Sequence, residues 1–145
     1  MKLCKENGIH TCLDTAGYAS DYDEILDYTD LVLYDIKEID KDRYQQLTGR
    51  PIELSLKFLK TCQEKNKKMW IRQVIIPGYN DNVSYIHELK EFVKPLKNIE
   101  KIELLPYHTM GLEKYRMLNI PYSLENVPDM DKEECKKLEE LLKER

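Results

Sequence analysis

The chain has 145 residues, 41% of them hydrophobic, with one Trp, ten Tyr and a formal net charge of −4. That is the size of one ordinary domain, and the composition is that of a folded soluble protein rather than a disordered one. The mild acidity weighs against nucleic acid or an anionic membrane surface as partner, and apolar runs such as Val74–Pro77 are far too short to cross a bilayer.

The opening Met1-Lys2-Leu3-Cys4-Lys5-Glu6 lacks the apolar region of a secretory signal, so a cytoplasmic location is expected. In that compartment the four cysteines, Cys4, Cys12, Cys62 and Cys135, are expected to be reduced thiols. They are dispersed, with no C-x2-C or C-x3-C pair, so the chain by itself is not expected to build a zinc or iron–sulfur site. Cys12 and Cys62 fall among apolar positions and read as small buried hydrophobes.

In chain order, His10–Asp14 reads as a short strand ended by the turn signal Thr15-Ala16-Gly17. Tyr22–Tyr28 suits a brief helix. Leu31–Lys37 is a near-continuous apolar run, the pattern of a strand covered on both faces. Asp40–Leu47 suits a short helix stopped by Gly49. Pro51 then suits the first position of a helix whose apolar stripe is Ile52, Leu56, Leu59 and Cys62.

Met69–Ile76 is a strand broken by Pro77-Gly78. Asp81 or Asn82 can cap a helix with Ile86, Leu89, Phe92, Val93 and Leu96 on one face. Ile99–Pro106 is a further strand. The last helix starts near Asp131, with Glu134 placed for a capping box, and buries Leu138, Leu141 and Leu142. Strands alternating with helices and no hairpin signals imply an α/β chain with a parallel sheet, read as one unit over 1–145.

In such folds the working residues gather at the carboxyl ends of strands. The ends here carry Asp14 and Thr15, then Asp35 and Lys37, then Arg72, then Tyr107 and His108. Each has a plain structural alternative. Asp14-Thr15 suit a turn, Asp35 and Lys37 share a strand face and suit a local ion pair, and a lone His108 suits a satisfied histidine. Arg72 in an apolar strand requires a partner anion. From chemistry alone, Lys37 beside Asp35 also suits a Schiff-base lysine of an aldolase-like enzyme.

Four segments carry a more specific signal: Gly8–Thr15 (GIHTCLDT), Asp30–Lys37 (DLVLYDIK), Trp70–Gly78 (WIRQVIIPG) and Ile102–His108 (IELLPYH), followed by Gly111–Tyr115 (GLEKY). In this order they resemble the pyruvate formate-lyase-activating enzymes, radical S-adenosylmethionine (SAM) activators of glycyl radical enzymes. The resemblance covers nearly the whole chain. It implies a partial (β/α)6 radical SAM barrel, with residues 1–145 supplying the C-terminal portion of about four parallel strands and the cluster-binding N-terminal part absent.

The family's chemistry uses a [4Fe–4S] cluster on C-x3-C-x2-C, a loop this sequence lacks together with the family's Gly-Gly-Glu motif. Reductive cleavage of SAM yields a 5′-deoxyadenosyl radical that removes a hydrogen atom from a glycine of the partner enzyme. The resemblance implies SAM contacts at Asp35, Lys37, Arg72, Val74 and His108. It further implies a monovalent-cation site formed by Asp14, Thr15, Asp35 and the carbonyl of Leu33. The implied partners are pyruvate formate-lyase and a flavodoxin- or ferredoxin-type electron donor. Without cluster ligands the chain alone is expected to be inactive, leaving a non-catalytic SAM- or partner-binding module as the alternative.

Overall fold

Helix and strand alternate along most of the chain, as the hydrophobic spacing requires. A computed structural model describes residues 1–143. The order is α1 (Lys2–Glu6), β1 (Cys12–Thr15), α2 (Asp23–Asp27), β2 (Leu31–Ile36), α3 (Lys41–Thr48), α4 (Glu53–Glu64), β3 (Lys68–Ile75), α5 (Val83–Val93) and β4 (Ile99–Pro106). A 3-10 turn (Thr109–Gly111), α6 (Leu112–Met117) and α7 (Lys132–Lys143) follow. The strands form one sheet in the order β1-β2-β3-β4. β1 with β2, and β2 with β3, pair in parallel. Bonds from Met69 N to Asn98 O and from Tyr107 N to Ile75 O, both 3.0 Å, advance together along β3 and β4, so these also run parallel. The α/β class and the four-stranded parallel sheet read from the sequence are therefore present.

The chain divides into two compact units, one of Met1–Gln73 with Lys94–Glu103, the other of Val74–Val93 with Leu104 onward. In the first unit β2 alternates strictly. Val32, Tyr34 and Ile36 are buried while Leu31, Leu33 and Asp35 are half-exposed, and β3 buries Met69 and Ile71 but not Trp70 or Arg72. Each fully buried aliphatic side chain contributes about 1.5–3 kcal/mol of transfer free energy, so this face holds much of the unit's stability. α4 covers it, with the Phe58 ring stacked 6.0 Å from Tyr34 and edge-on to Tyr22 at 5.0 Å. The expectation that β2 is covered on both faces fails. Its apolar run conceals a period of two, because Leu31 and Leu33 lie on the face that also carries Asp35.

Other local expectations are corrected in detail. Pro51 precedes α4, whose cap is Ile52 and first residue Glu53. The helix buries Ser55, Phe58, Leu59 and Cys62, whereas Leu56 is exposed. Ile52, Leu59 and Cys62 of the expected stripe are buried, and only Leu56 falls outside it, because the buried face runs from Ile52 through Ser55 at i+3 rather than through Leu56 at i+4. Cys12 is exposed on β1, while Cys62 is fully buried, and burial pushes its thiol up to about 12. α3 matches expectation at both ends. Asp40 Oδ1 accepts from Asp42 N (3.0 Å) and Arg43 N (2.9 Å), and Gly49 closes the helix at φ 70°.

In the second unit Asn82 Oδ1 caps α5 by accepting from Tyr85 N at 3.0 Å, and α5 packs against α7. Asp131 Oδ1 accepts from Glu133 N and Glu134 N, both at 2.9 Å, so the α7 cap forms. The Glu134 carboxylate itself pairs with Lys137 at 2.6 Å. Leu138 and Leu142 are buried, whereas Leu141 and Phe92 are half-buried; α5 ends at Val93, so Leu96, expected on this helix, lies beyond its end and in the first unit. Among the described residues no helix is long and apolar enough to cross a membrane.

Candidate functional site

The parallel register of the first unit sets the site. Asp35 on β2 stands opposite Arg72 on β3, and Leu33 stands opposite Asp14 on β1. All four belong to the half-exposed set of positions on their strands, or, for Asp14, to the exposed set. Arg72 Nε donates to Asp35 Oδ1 at 2.8 Å, and its Nη2 donates to Asp14 Oδ1. One guanidinium therefore bridges two carboxylates from two other strands. Lys37 Nζ approaches the second oxygen, Asp35 Oδ2, at 3.4 Å.

The anion that Arg72 requires is thus supplied internally, by both acids. Its side chain is 18% exposed. Burial works against the charge, but the hydrogen bonds with Asp14 and Asp35 more than offset it, and its pKa lies above the ordinary arginine value. Asp14 is more open, at 57% exposure, and the Lys37–Asp35 contact is partly solvated. The local ion pair expected between Asp35 and Lys37 is present, but it is one edge of a four-residue cluster.

The turn that carries Asp14 and Thr15 is held from behind. Gly17 has φ 70°, and a Cβ there would stand 2.7 Å from the Phe58 ring, so only glycine fits. Gly17 N donates to Thr15 Oγ1 at 2.9 Å, which fixes that hydroxyl. Ser55 Oγ donates to the Ala16 carbonyl at 2.6 Å, and the Tyr34 hydroxyl donates to the Ser55 carbonyl at 3.1 Å. Burial raises the Tyr34 phenol above its ordinary pKa and keeps it a neutral donor. Sequence reasoning missed Ser55 and Phe58 as supports, because nothing in local spacing links α4 to a turn 39 residues earlier.

Two expected residues lie in the second unit. Val74 is half-buried near the end of β3, and its carbonyl accepts from the buried Asn80 Nδ2 at 2.9 Å. Asn80 Oδ1 also accepts from Ile76 N at 2.6 Å, so one side chain closes the turn after β3. His108 follows β4 with extended backbone and is exposed. Its neighbour Tyr107 is anchored by the bond to Ile75 and by Met130 N, which donates to its carbonyl at 2.9 Å.

The residues fit some of the implied groups and not others. Asp14, Asp35 and Thr15 Oγ1 are hard oxygen donors of the type an alkali ion takes, though both carboxylates already hold Arg72. A cluster is not accommodated. Cys4 and Cys12 are exposed, Cys62 and Cys135 are buried, and among the described residues no group of three or more His, Cys, Asp or Glu could hold a metal ion.

No family model matches the chain. The fold is shared with a radical SAM methyltransferase from Sphaerobacter thermophilus, which superposes with TM-score 0.67 at 15% identity, over 94% of this chain and 39% of that one. A domain of pyruvate-formate lyase-activating enzyme from Bacteroides vulgatus superposes with TM-score 0.74 at 26% identity, over 97% of this chain and 80% of that one.

In sequence the chain is similar to pyruvate formate-lyase-activating enzymes. It is 50% identical to that of Clostridium pasteurianum over 145 residues, which is 99% of this chain and 61% of the relative. The chain thus spans about three-fifths of the length of that curated relative.

Proposed function

We propose that residues 1–145 form the C-terminal part of a radical SAM partial barrel in an activase of pyruvate formate-lyase, and that the chain binds the non-sulfur ends of SAM. The observation that supports this most strongly is the cluster of Asp14, Asp35, Lys37 and Arg72 on the half-exposed strand positions, in a chain half identical to a named activating enzyme. A pair of SAM and a reduced [4Fe–4S] cluster supplies, when bound, the radical that activates a glycine in the partner.

This chain's residues bind and orient. Asp35 accepts hydrogen bonds from ribose hydroxyls, while Lys37 and Arg72 offer donors to a carboxylate. Val74 packs on the adenine, and His108 adds a contact beyond β4. Asp14, Thr15, Asp35 and the Leu33 carbonyl favour a monovalent cation beside the SAM carboxylate. The cluster ligands and the docking of a flavodoxin- or ferredoxin-type donor fall outside these residues, so the chain alone is inactive in this reading. A cytoplasmic setting, with neither nucleic acid nor membrane as partner, completes it. The aldolase-like alternative is disfavoured by Lys37 itself. A Schiff-base lysine works as a neutral amine in a dry pocket, whereas this ammonium is 39% exposed and paired with a carboxylate.

Ligand-observed NMR titration of SAM tests the reading. Asp35→Ala and Lys37→Ala should each weaken binding by about ten- to a hundred-fold, the usual consequence of losing a charged contact worth ~1.5–3 kcal/mol. Lys37→Ala should at the same time change stability by under about 1 kcal/mol, since its ion pair is partly solvated. A purely structural pair predicts the reverse, a shifted melting point with unchanged SAM affinity.

A further inference from the structure

Glu38 is a buried carboxylate that the binding reading does not use. It follows Lys37 just past the end of β2, and its side chain is 5% exposed. A carboxylate so far from water is costly unless charge and hydrogen bonds replace the water. Here they do: Oε1 accepts from Ile39 N at 2.7 Å and from Asp40 N at 3.3 Å, and Arg43 Nε of α3 stands 3.3 Å away. Asp40 is the cap of α3, so one acid joins the end of β2 to the start of that helix. Lys37 is held from its other side as well. Gln73, 1% exposed on the covered face of β3, donates from Nε2 to the Lys37 carbonyl at 3.4 Å.

We infer that Glu38 is a positioning residue: it fixes the backbone next to Lys37, and so the place from which that ammonium meets a ligand carboxylate. The inference rests on the ligand-binding reading of the open face and names what keeps that face in shape. Arg72 and Gln73 are neighbours on β3 and point to opposite faces. Arg72 therefore holds Asp35 in the open, while Gln73 and Glu38 hold the main chain around Lys37 from beneath. The Lys37 ammonium is 39% exposed and approaches Asp35 only to 3.4 Å. A flexible side chain with so loose a contact takes its aim from the backbone that carries it. A glutamate on the surface would fix this turn poorly, because water would compete for the same amides.

The test is a double-mutant cycle read by ligand-observed NMR titration of this 145-residue chain, with SAM and 5′-methylthioadenosine as probes. The second probe keeps the nucleoside and lacks the amino-acid carboxylate. Glu38→Met matches glutamate in length but offers the two amides no oxygen, and it should weaken SAM about three- to ten-fold. Glu38→Gln restores an acceptor and should recover most of that loss. Binding of 5′-methylthioadenosine to Glu38→Met should stay within about two-fold of wild type, the scatter of independent sites. In a Lys37→Ala background Glu38→Met should likewise change SAM affinity by less than about two-fold, because it acts through Lys37.

If Glu38→Met does not fold, Glu38→Ala, which leaves room for water at the amides, takes its place with the same expected loss. A chain that folds with neither would show Glu38 to serve stability alone and overturn the proposal. So would an equal loss in the Lys37→Ala background, or an equal loss for 5′-methylthioadenosine. Weakened SAM binding in Lys37→Ala with none in Glu38→Met would remove this inference and leave the binding reading standing. Unchanged SAM affinity in Lys37→Ala would remove both.

Discussion

The two faces of β2 and β3 in the first unit are built from one alternating sequence and do opposite things. Val32, Tyr34, Ile36, Met69 and Ile71 are buried, with Tyr34 stacked on Phe58 of α4. Leu33, Asp35, Trp70 and Arg72 stay half-exposed, and the charged pair among them gathers Asp14 and Lys37. Stability is concentrated on the first face because burial of apolar area is there, whereas partly solvated ion pairs on the second contribute little each. The lesson is that charge can be kept on a sheet at low cost when the covered face already secures the fold.

The largest effect expected from this contrast is at Ile71. It is fully buried next to Arg72, and Ile71→Ala should lose about 2–5 kcal/mol in denaturant unfolding through lost transfer energy and a residual cavity. A loss no greater than that from Lys37→Ala would break the division between the faces.

Gly17→Ala should lose a comparable amount. It places a side chain at positive φ, which costs about 1–2 kcal/mol, and presses a Cβ into Phe58, which costs about 1–3 kcal/mol more. Because Gly17 joins the buried Phe58 to the turn bearing Asp14 and Thr15, this variant should also weaken SAM binding. A Gly17→Ala chain as stable as wild type would show that the covered face does not hold that turn.

Much of this was legible in the sequence, for physical reasons. Strand ends in a parallel fold collect polar residues, so Asp14, Asp35, Lys37 and Arg72 stood out by position, and the period of two put Asp35 and Lys37 together. The partners of Arg72 were not legible, since they sit 58 and 37 residues away and depend on strand register. Nor was the support from α4. Both Ser55 and Leu56 are one turn from Ile52, the apolar leucine reads as the buried one, and only the folded chain sets Ser55 against Ala16. The apolar run of β2 misled for a related reason, as two leucines on the open face look in sequence like core.

The most direct test of the account is a backbone-amide NMR titration of the isotope-labelled chain with SAM. Binding on the open face predicts that the largest shifts fall on Thr15, Asp35, Lys37 and Arg72, with the amides of α4 around Cys62 almost unmoved. Shifts confined to α6 and its neighbours, or none anywhere across the titration, would contradict it.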